Sequence, residues 1–482
     1  MSLPRIRNLI AGHEQDPLTG TWLEKRRPAD GELLFEVARS GAQDVVAAIK
    51  AAREAQPAWA SRTAVERGDV VRAMAELLRE RRDEASALVA EEGGKSLALA
   101  RGETDAAIEM GFFVAGEGRR SYGRTTTASM PHRTVFTIRR PVGVAALIIS
   151  FNTPLPNVAW KAFPAIFCGN ASVLKPSEET PSSALFFASL ALDAGLPAGV
   201  LNVVQGLGPE AGQPLVESPA VDLVSFTGSA ATGRLVAERA GARLAKTCLE
   251  LGGKNALVVC EDADLETAVR WTLASAFSNA GQRCAAASRI IVLDPIYEVF
   301  RDLLEAETRK LTVGTRDEDF LGPVISERSR ERLLKAVGDA RDQGATVVCG
   351  GEPVGERGFG VAPTLLEGIA PDAPLSLEEL FGPVAILYRA SDLADAIRLV
   401  DTSPYGLTAA IHTASVHRAM TFAERVSAGV VVVNAGTHGS EPHMGFGGMK
   451  ASGTGWKEAG VEALDVYSET RYVNVVADPA LS

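Results

Sequence analysis

The chain has 482 residues, 46% hydrophobic, 23% charged and only 6% aromatic, with a formal net charge of −11. That length exceeds one ordinary core and predicts two or three domains. The acidic balance argues against a nucleic-acid or acidic-membrane surface. Five scattered cysteines (Cys168, Cys248, Cys260, Cys284, Cys349) make no CxxC pair, so free thiols in the reducing cytoplasm are expected. Residues 1–7 lack the apolar run of a signal peptide behind them, and the apolar stretch 142–149 is too short to span a bilayer.

Residues 42–92 read as helices, with Ala47, Ile49, Trp59, Val70, Met74, Leu77 and Leu78 at helical spacings among Arg and Glu. From residue 135 the texture turns to short apolar runs. The run 142–149 is apolar on both faces, as a buried parallel strand is, and exits at Ser150-Phe151-Asn152. Strand 171–174 and helix 181–194 follow, then strand 200–204 with helix 209–216, and strand 221–226 with helix 230–240. This alternation predicts βαβ units on a parallel sheet. A second set begins at 255–259 and continues through 289–292, 345–348, 384–387 and 429–433, which places a boundary at Gly252-Gly253. The segment 464–476 alternates like a strand and needs a pairing partner, because a lone strand is unstable.

Ligands of such sheets bind at the carboxyl ends of strands. The exits are Ser150-Phe151-Asn152, Lys175-Pro176-Ser177-Glu178, Phe226-Thr227-Gly228-Ser229 and Glu250-Leu251-Gly252-Gly253. Gly228-Ser229 opens a helix whose first amides favour an anion, but no GxGxxG register is present, so a dinucleotide would bind in a variant of the Rossmann manner. Lys175 and Glu178 are candidates for ribose or phosphate, and a carboxylate at 178 repels a 2′-phosphate, which favours NAD over NADP. Cys284 follows the polar, glycine-containing run Ser278-Asn279-Ala280-Gly281-Gln282-Arg283, which argues for a nucleophile over an inert thiol. It needs a positive or amide-rich setting to ionise, and Arg283 or a helix start are the candidate sources. Glu250 is a carboxylate able to activate water against a thioester; Asn152 is either a donor, with the Cys284 N–H, for an oxyanion or an Asx-turn residue before Pro154. No cluster has metal-ligand spacing, and His438 and His443 read as pocket or surface residues.

The ordered motifs Phe151-Asn152, Lys175-Pro176-Ser177-Glu178, Phe226-Thr227-Gly228-Ser229, Glu250-Leu251-Gly252-Gly253-Lys254, Gly281-Gln282-Arg283-Cys284, Glu379-Leu380-Phe381-Gly382-Pro383 and Phe446-Gly447-Gly448-x-Lys450-x-Ser452-Gly453 carry a resemblance. The chain resembles the aldehyde dehydrogenase superfamily, of the NAD(P)-dependent, non-phosphorylating, hydrolytic type, over essentially its whole length. The resemblance implies an α/β fold. A Rossmann-type cofactor domain (1–122, 142–252, 452–467) would join a second α/β catalytic domain (253–451) and a small β oligomerisation arm (123–141, 468–482). It implies Cys284 as nucleophile, Glu250 as general base and Asn152 as oxyanion donor. Phe151, Lys175, Glu178, Gly228, Ser229, Leu251, Gly252, Glu379 and Phe381 would bind NAD. Thr153, Asn157, Trp160, Arg283, Ala285, His438, Ser440 and Phe446 would line the substrate tunnel.

The implied reaction oxidises an aldehyde to its acid through a thiohemiacetal and a thioester, with hydrolytic release. An aromatic aldehyde or a polar semialdehyde suits that lining, with Arg283 a candidate partner for a substrate carboxylate. A small-molecule aldehyde is the expected partner, with neither nucleic acid nor membrane, and no structural metal is expected. The arm points to a homodimer or homotetramer. Transfer of the acyl group to coenzyme A is one alternative, against which Glu250 speaks; a catalytically idle binding or structural member of the fold is another. Phe151 departs from the tryptophan of many relatives and reshapes the wall beside Asn152.

Overall fold

The computed structural model describes residues 3–477; the expected end of the arm, 478–482, lies outside the described residues. The chain begins with an antiparallel pair, β1 (Asn8–Ile10) and β2 (His13–Gln15), before four helices: α1 (Ala42–Ser61), α2 (Ala64–Glu80), α3 (Arg82–Gly93) and α4 (Leu97–Ala115). Local chemistry sets their ends. Thr63 and Glu66 satisfy each other's backbone amides in a capping box at the start of α2. α3 stops at Gly94, whose φ of 68° is left-handed and where a Cβ would meet Pro28 at 2.7 Å.

The strand β3 (Arg133–Pro141) leads into β4 (Val144–Ile148), α5 (Pro154–Phe167), β5 (Ala171–Lys175), α6 (Pro181–Asp193), β6 (Leu201–Val203), β7 (Leu223–Thr227), α7 (Ala230–Gly241) and β8 (Lys246–Glu250). These strands form a seven-stranded sheet in the order β8-β7-β4-β5-β6-β1-β2, parallel from β8 to β6. β4 lies centrally, the next two strands go to one side of it and the last two to the other. The loops after β4 and β7 therefore diverge and leave a crevice at their carboxyl ends. The register pairs Phe226 with Ile148, Ile148 with Lys175 and Thr227 with Glu250, so the strand exits end in one row.

Alternation holds the sheet in place. Val144, Ala146 and Ile148 pack towards Val45 and Ile49 of α1, while Ala145 and Leu147 pack towards Val158 and Phe163 of α5. Each of the larger side chains among them contributes about 1.5–3 kcal/mol on burial, but both faces are apolar, so helix packing as well as polarity fixes the register. The expected helix at 209–216 is instead a wide π-type turn, Gly208–Gly212, followed by the short helix Gln213–Glu217. Pro214 lacks the amide that a helix continuous through it would need.

The second half repeats the architecture. β9 (Asn255–Val259), α8 (Leu265–Phe277), β10 (Ala287–Leu293), β11 (Thr346–Cys349), β12 (Thr364–Glu367), β13 (Val384–Ala390), β14 (Thr408–His412) and β15 (Val430–Val433) form a sheet ordered β11-β12-β13-β10-β9-β14-β15. All its neighbours are parallel except β11 with β12. Finally β16 (Ser468–Val476) pairs with β3 antiparallel over nine residues, from Ser468 opposite Pro141 to Val476 opposite Arg133, with Thr125–Thr126 on the other edge of β3.

Candidate active site

One cavity of about 1190 Å³ runs along the crevice of the first sheet to the segment before β10. Its wall holds Asn152, Glu250 and Cys284 together, with Phe151, Gly228, Ser229, Leu251, Gly252, Glu379 and Phe381 at one side. Thr153, Asn157, Trp160, Arg283, Ala285, His438, Ser440 and Phe446 line it as well. Lys175 and Glu178 do not. They stand at the end of β5, where Lys175 Nζ donates to Pro176 O at 2.9 Å and lies 3.6 Å from Glu178.

The Cys284 segment is an unusual piece of backbone. Asn279, Ala280 and Gly281 take φ of 54°, 55° and 65° in succession, a left-handed run that costs about 1–2 kcal/mol for each residue bearing a Cβ. The surroundings hold it there. Asn279 Nδ2 donates to Gln282 O at 3.2 Å, Gln282 Oε1 accepts from Ile325 N at 2.9 Å, and a Cβ on Gly281 would lie 2.2 Å from Gly382 O. Beyond the turn, Asn255 Nδ2 donates to Cys284 O at 2.7 Å and to Ala286 O at 2.9 Å, and Thr437 Oγ1 donates to Ala285 O. Strain over-determined in this way marks functional sites.

Asn152 is fixed by three side chains that sequence reasoning gave no role or a different one. Its carbonyl accepts from Lys95 Nζ and from Asn279 Nδ2, and its Oδ1 accepts from Asn157 Nδ2 at 3.3 Å. The amide nitrogen is thereby left bordering the cavity as a donor. Lys95 is buried and balanced by Glu103, whose Oε2 has no partner.

Glu250 is buried, and neither of its carboxylate oxygens has a hydrogen-bond partner. Burial pushes its pKa well up, and the neighbouring charge of Glu458 adds to this, opposed by Lys161 and Lys457. Glu458 is itself tied to Lys161 Nζ and Ser225 Oγ, with Tyr467 OH donating to Ser225. Lys161 sits in the apolar run Trp160-Lys161-Ala162-Phe163, and a charge embedded in such a helix is the signal that sequence reading passed over. The Cys284 thiol contradicts the expectation of a positive setting. Burial, Glu379 and Glu250 together outweigh Arg283 and push it up to about 12. A thiol in that setting would need a proton acceptor before it could attack a carbonyl.

The wall suits a dinucleotide at several points. The Ser229 hydroxyl caps α7 by accepting from Thr232 N, at a helix start open to an anion. Gly252 lets Glu379 lie against the backbone, since a Cβ there would be 2.0 Å from Glu379 Oε2, and Gly253 N donates to Glu379 Oε1 at 3.0 Å. Phe381 stands edge-on to Phe151 with centroids 5.6 Å apart.

A family description for aldehyde dehydrogenases matches residues 15–473. The chain belongs to the aldehyde dehydrogenase family. It is an NAD(P)-dependent aldehyde dehydrogenase with the α/β fold of that family. It is 38% identical to the NADP-dependent succinate-semialdehyde dehydrogenase of Escherichia coli, over 98% of each chain. It is 35% identical to an alpha-ketoglutaric semialdehyde dehydrogenase of Bacillus subtilis, over 97% of each. A betaine aldehyde dehydrogenase of Staphylococcus aureus, solved with NAD+, superposes with a TM-score of 0.96 at 31% identity, covering 98% of this chain and 95% of that one. No helix among the described residues is long and apolar enough to cross a membrane.

Proposed function

We propose that this aldehyde dehydrogenase is hydrolytic, prefers NAD, and takes an aldehyde that carries a carboxylate. The observation that carries the hydrolytic reading is Glu250, a buried carboxylate with two unpartnered oxygens on the same cavity as Cys284. Cys284 Sγ adds to the aldehyde carbon, and its proton passes to the Glu250 carboxylate, whose high proton affinity suits it, and from there to solvent, which returns Glu250 to the carboxylate. Asn152 Nδ2 and the Cys284 N–H donate to the developing oxyanion, each such donor contributing about 10²–10³ in rate. NAD held beside Glu379 and Phe381 would supply the hydride acceptor through which the adduct on Cys284 becomes a thioester. Glu250, as carboxylate, then takes a proton from water as its oxygen attacks the thioester carbon. The acid leaves and the thiol returns.

Glu379 and Phe381 would hold the nicotinamide end, Gly228 and Ser229 the pyrophosphate, and Lys175 with Glu178 the adenosine ribose. The 2′-phosphate of NADP would meet the Glu178 carboxylate, which supports a preference for NAD although the E. coli relative is named for NADP. The carboxylated substrate rests on Arg283. Its guanidinium borders the cavity, makes no ion pair among the described residues, and has a buried Nε without a partner. Trp160 and Phe446, with centroids 5.4 Å apart, supply an apolar wall for the chain between aldehyde and acid. The reading includes a cytoplasmic homodimer or homotetramer built through β3 and β16.

The test is the absorbance of the reduced nicotinamide with a panel of aldehydes, with NAD or NADP and with or without coenzyme A. Higher kcat/KM with NAD, rates independent of coenzyme A, and a preference for ω-carboxylated aldehydes are expected. Arg283→Met should raise KM for those aldehydes by about tenfold or more and spare neutral ones. A coenzyme A requirement would overturn the hydrolytic reading; an equal effect of Arg283→Met on neutral aldehydes would overturn the carboxylate contact.

A further inference from the structure

A second cavity, of about 600 Å³, opens between the start of α2, the end of α5 and β3. Arg62, Arg67, Arg119, Arg139 and Arg140 line it, and among the described residues no Asp or Glu does, in a chain of net charge −11. The carboxylates nearby are engaged elsewhere. Asp465 pairs with Arg139, Glu117 with Arg120, and Glu66 accepts from Thr63 N and Thr63 Oγ1 in the α2 cap. Glu469, opposite Arg140 in the strand register, reaches Lys246 at 3.4 Å instead. Arg139–Asp465 is therefore the one ion pair that the cavity arginines make among the described residues.

Arg67 is the deepest of them. Its Nε donates to Phe167 O at 2.7 Å, and its Nη1 to Ala60 O and Arg62 O, while Nη2 has no hydrogen-bond partner among the described residues. Burial works against its charge, and the Glu66 carboxylate, already engaged in the α2 cap, offsets it only in part. Arg62 stacks over Trp59, 5.1 Å from the ring centroid, which holds its guanidinium at the rim. Unanswered like charges around one concavity repel one another and concentrate anions. The volume lies in the range of small-molecule sites.

We infer that this cavity binds a soluble, multiply charged phosphate-bearing small molecule, held by Arg62, Arg67, Arg119 and Arg140. Planar guanidinium forks match phosphate oxygens in pairs, and the sign of the wall excludes cations. The site is separate from the catalytic cavity. Asn152 lies just before the first turn of α5, whereas Phe167 and Cys168 at its other end form part of this wall, and a helix of 14 residues is about 21 Å long.

The test titrates inorganic pyrophosphate into protein saturated with NAD, so that the helix start of α7 is already filled, at constant ionic strength in a calorimeter. One saturable site per protomer is expected. The Arg119→Gln/Arg140→Gln variant, which alters only exposed side chains, should weaken it at least about tenfold with aldehyde kcat/KM unchanged. Arg67→Gln should weaken it as much; because Arg67 also holds three carbonyls, the double variant decides the matter if the Arg67→Gln protein unfolds. Absence of saturable heat, or unchanged affinity in the double variant, would overturn the assignment. So would a changed sedimentation mass with unaltered pyrophosphate affinity, since the cavity would then be a subunit contact. Phosphatidylserine vesicles should not co-sediment with the protein; if they do while pyrophosphate stays silent, the soluble ligand is wrong.

Discussion

Glu250 sits where its charged form is disfavoured, and this sets when it can act. Its pKa is raised by burial first and by Glu458 second. Water activation needs the carboxylate, so thioester hydrolysis should rise with pH until that raised pKa is passed. Glu458→Gln removes the neighbouring negative charge and leaves the charge of Lys161, and both changes lower the pKa of Glu250. The acid limb of the deacylation rate should move to lower pH, measurable by single-turnover kinetics across pH; an unmoved limb would assign it to another group. At this scale the sequence was legible where chemistry sits in short contiguous motifs, as around Cys284, Glu250 and Asn152, which the fold brings to one cavity. It was illegible where a residue acts through a distant contact. Lys95 reaches Asn152 and Asn255 reaches Cys284 only because of how strands and helices pack.

Short elements serve the site as much as single side chains do, and the turn before Cys284 is the clearest instance. Gly281 combines a φ of 65° with a hypothetical Cβ only 2.2 Å from Gly382 O, so alanine meets both conformational strain and a backbone wall. Gly281→Ala should lose at least about 1–2 kcal/mol in denaturant unfolding and lose activity disproportionately, because the shifted turn carries Cys284 with it. Wild-type kcat/KM in a stably folded variant would show that the turn does not position the nucleophile. Elements announced by apolar runs were readable, including β4, β9 and β15. β14, which pairs on both sides with β9 and β15, was missed because Thr408-Ala409-Ala410-Ile411-His412 contains two alanines and lacks a continuous β-branched run. The break in the expected helix at 209–216 was written in Pro214, whose missing amide outweighs the apolar spacing around it.

Across the whole molecule, two sheets bury their strands between helices, but the ribbon of β3 and β16 is exposed along most of its length. Strand-side alternation places Tyr472 and Val476 on one face and Ile138 and Val475 on the other, and all four are exposed in the single chain. A two- or three-stranded ribbon is marginal in water without a packed face, so burial against another copy is the expected outcome. The pairing between β3 and β16 joins segments more than three hundred residues apart, which local pattern alone does not reveal. Tyr472→Asp with Val476→Asp puts two charges on one face while keeping the backbone ladder. Sedimentation should then report a lower mass than wild type, with the circular dichroism of the folded chain retained. A wild-type protein that already sediments as one protomer, or a variant that keeps the full assembly, would remove this ribbon from the interface and leave its exposed tyrosine and valines without that role.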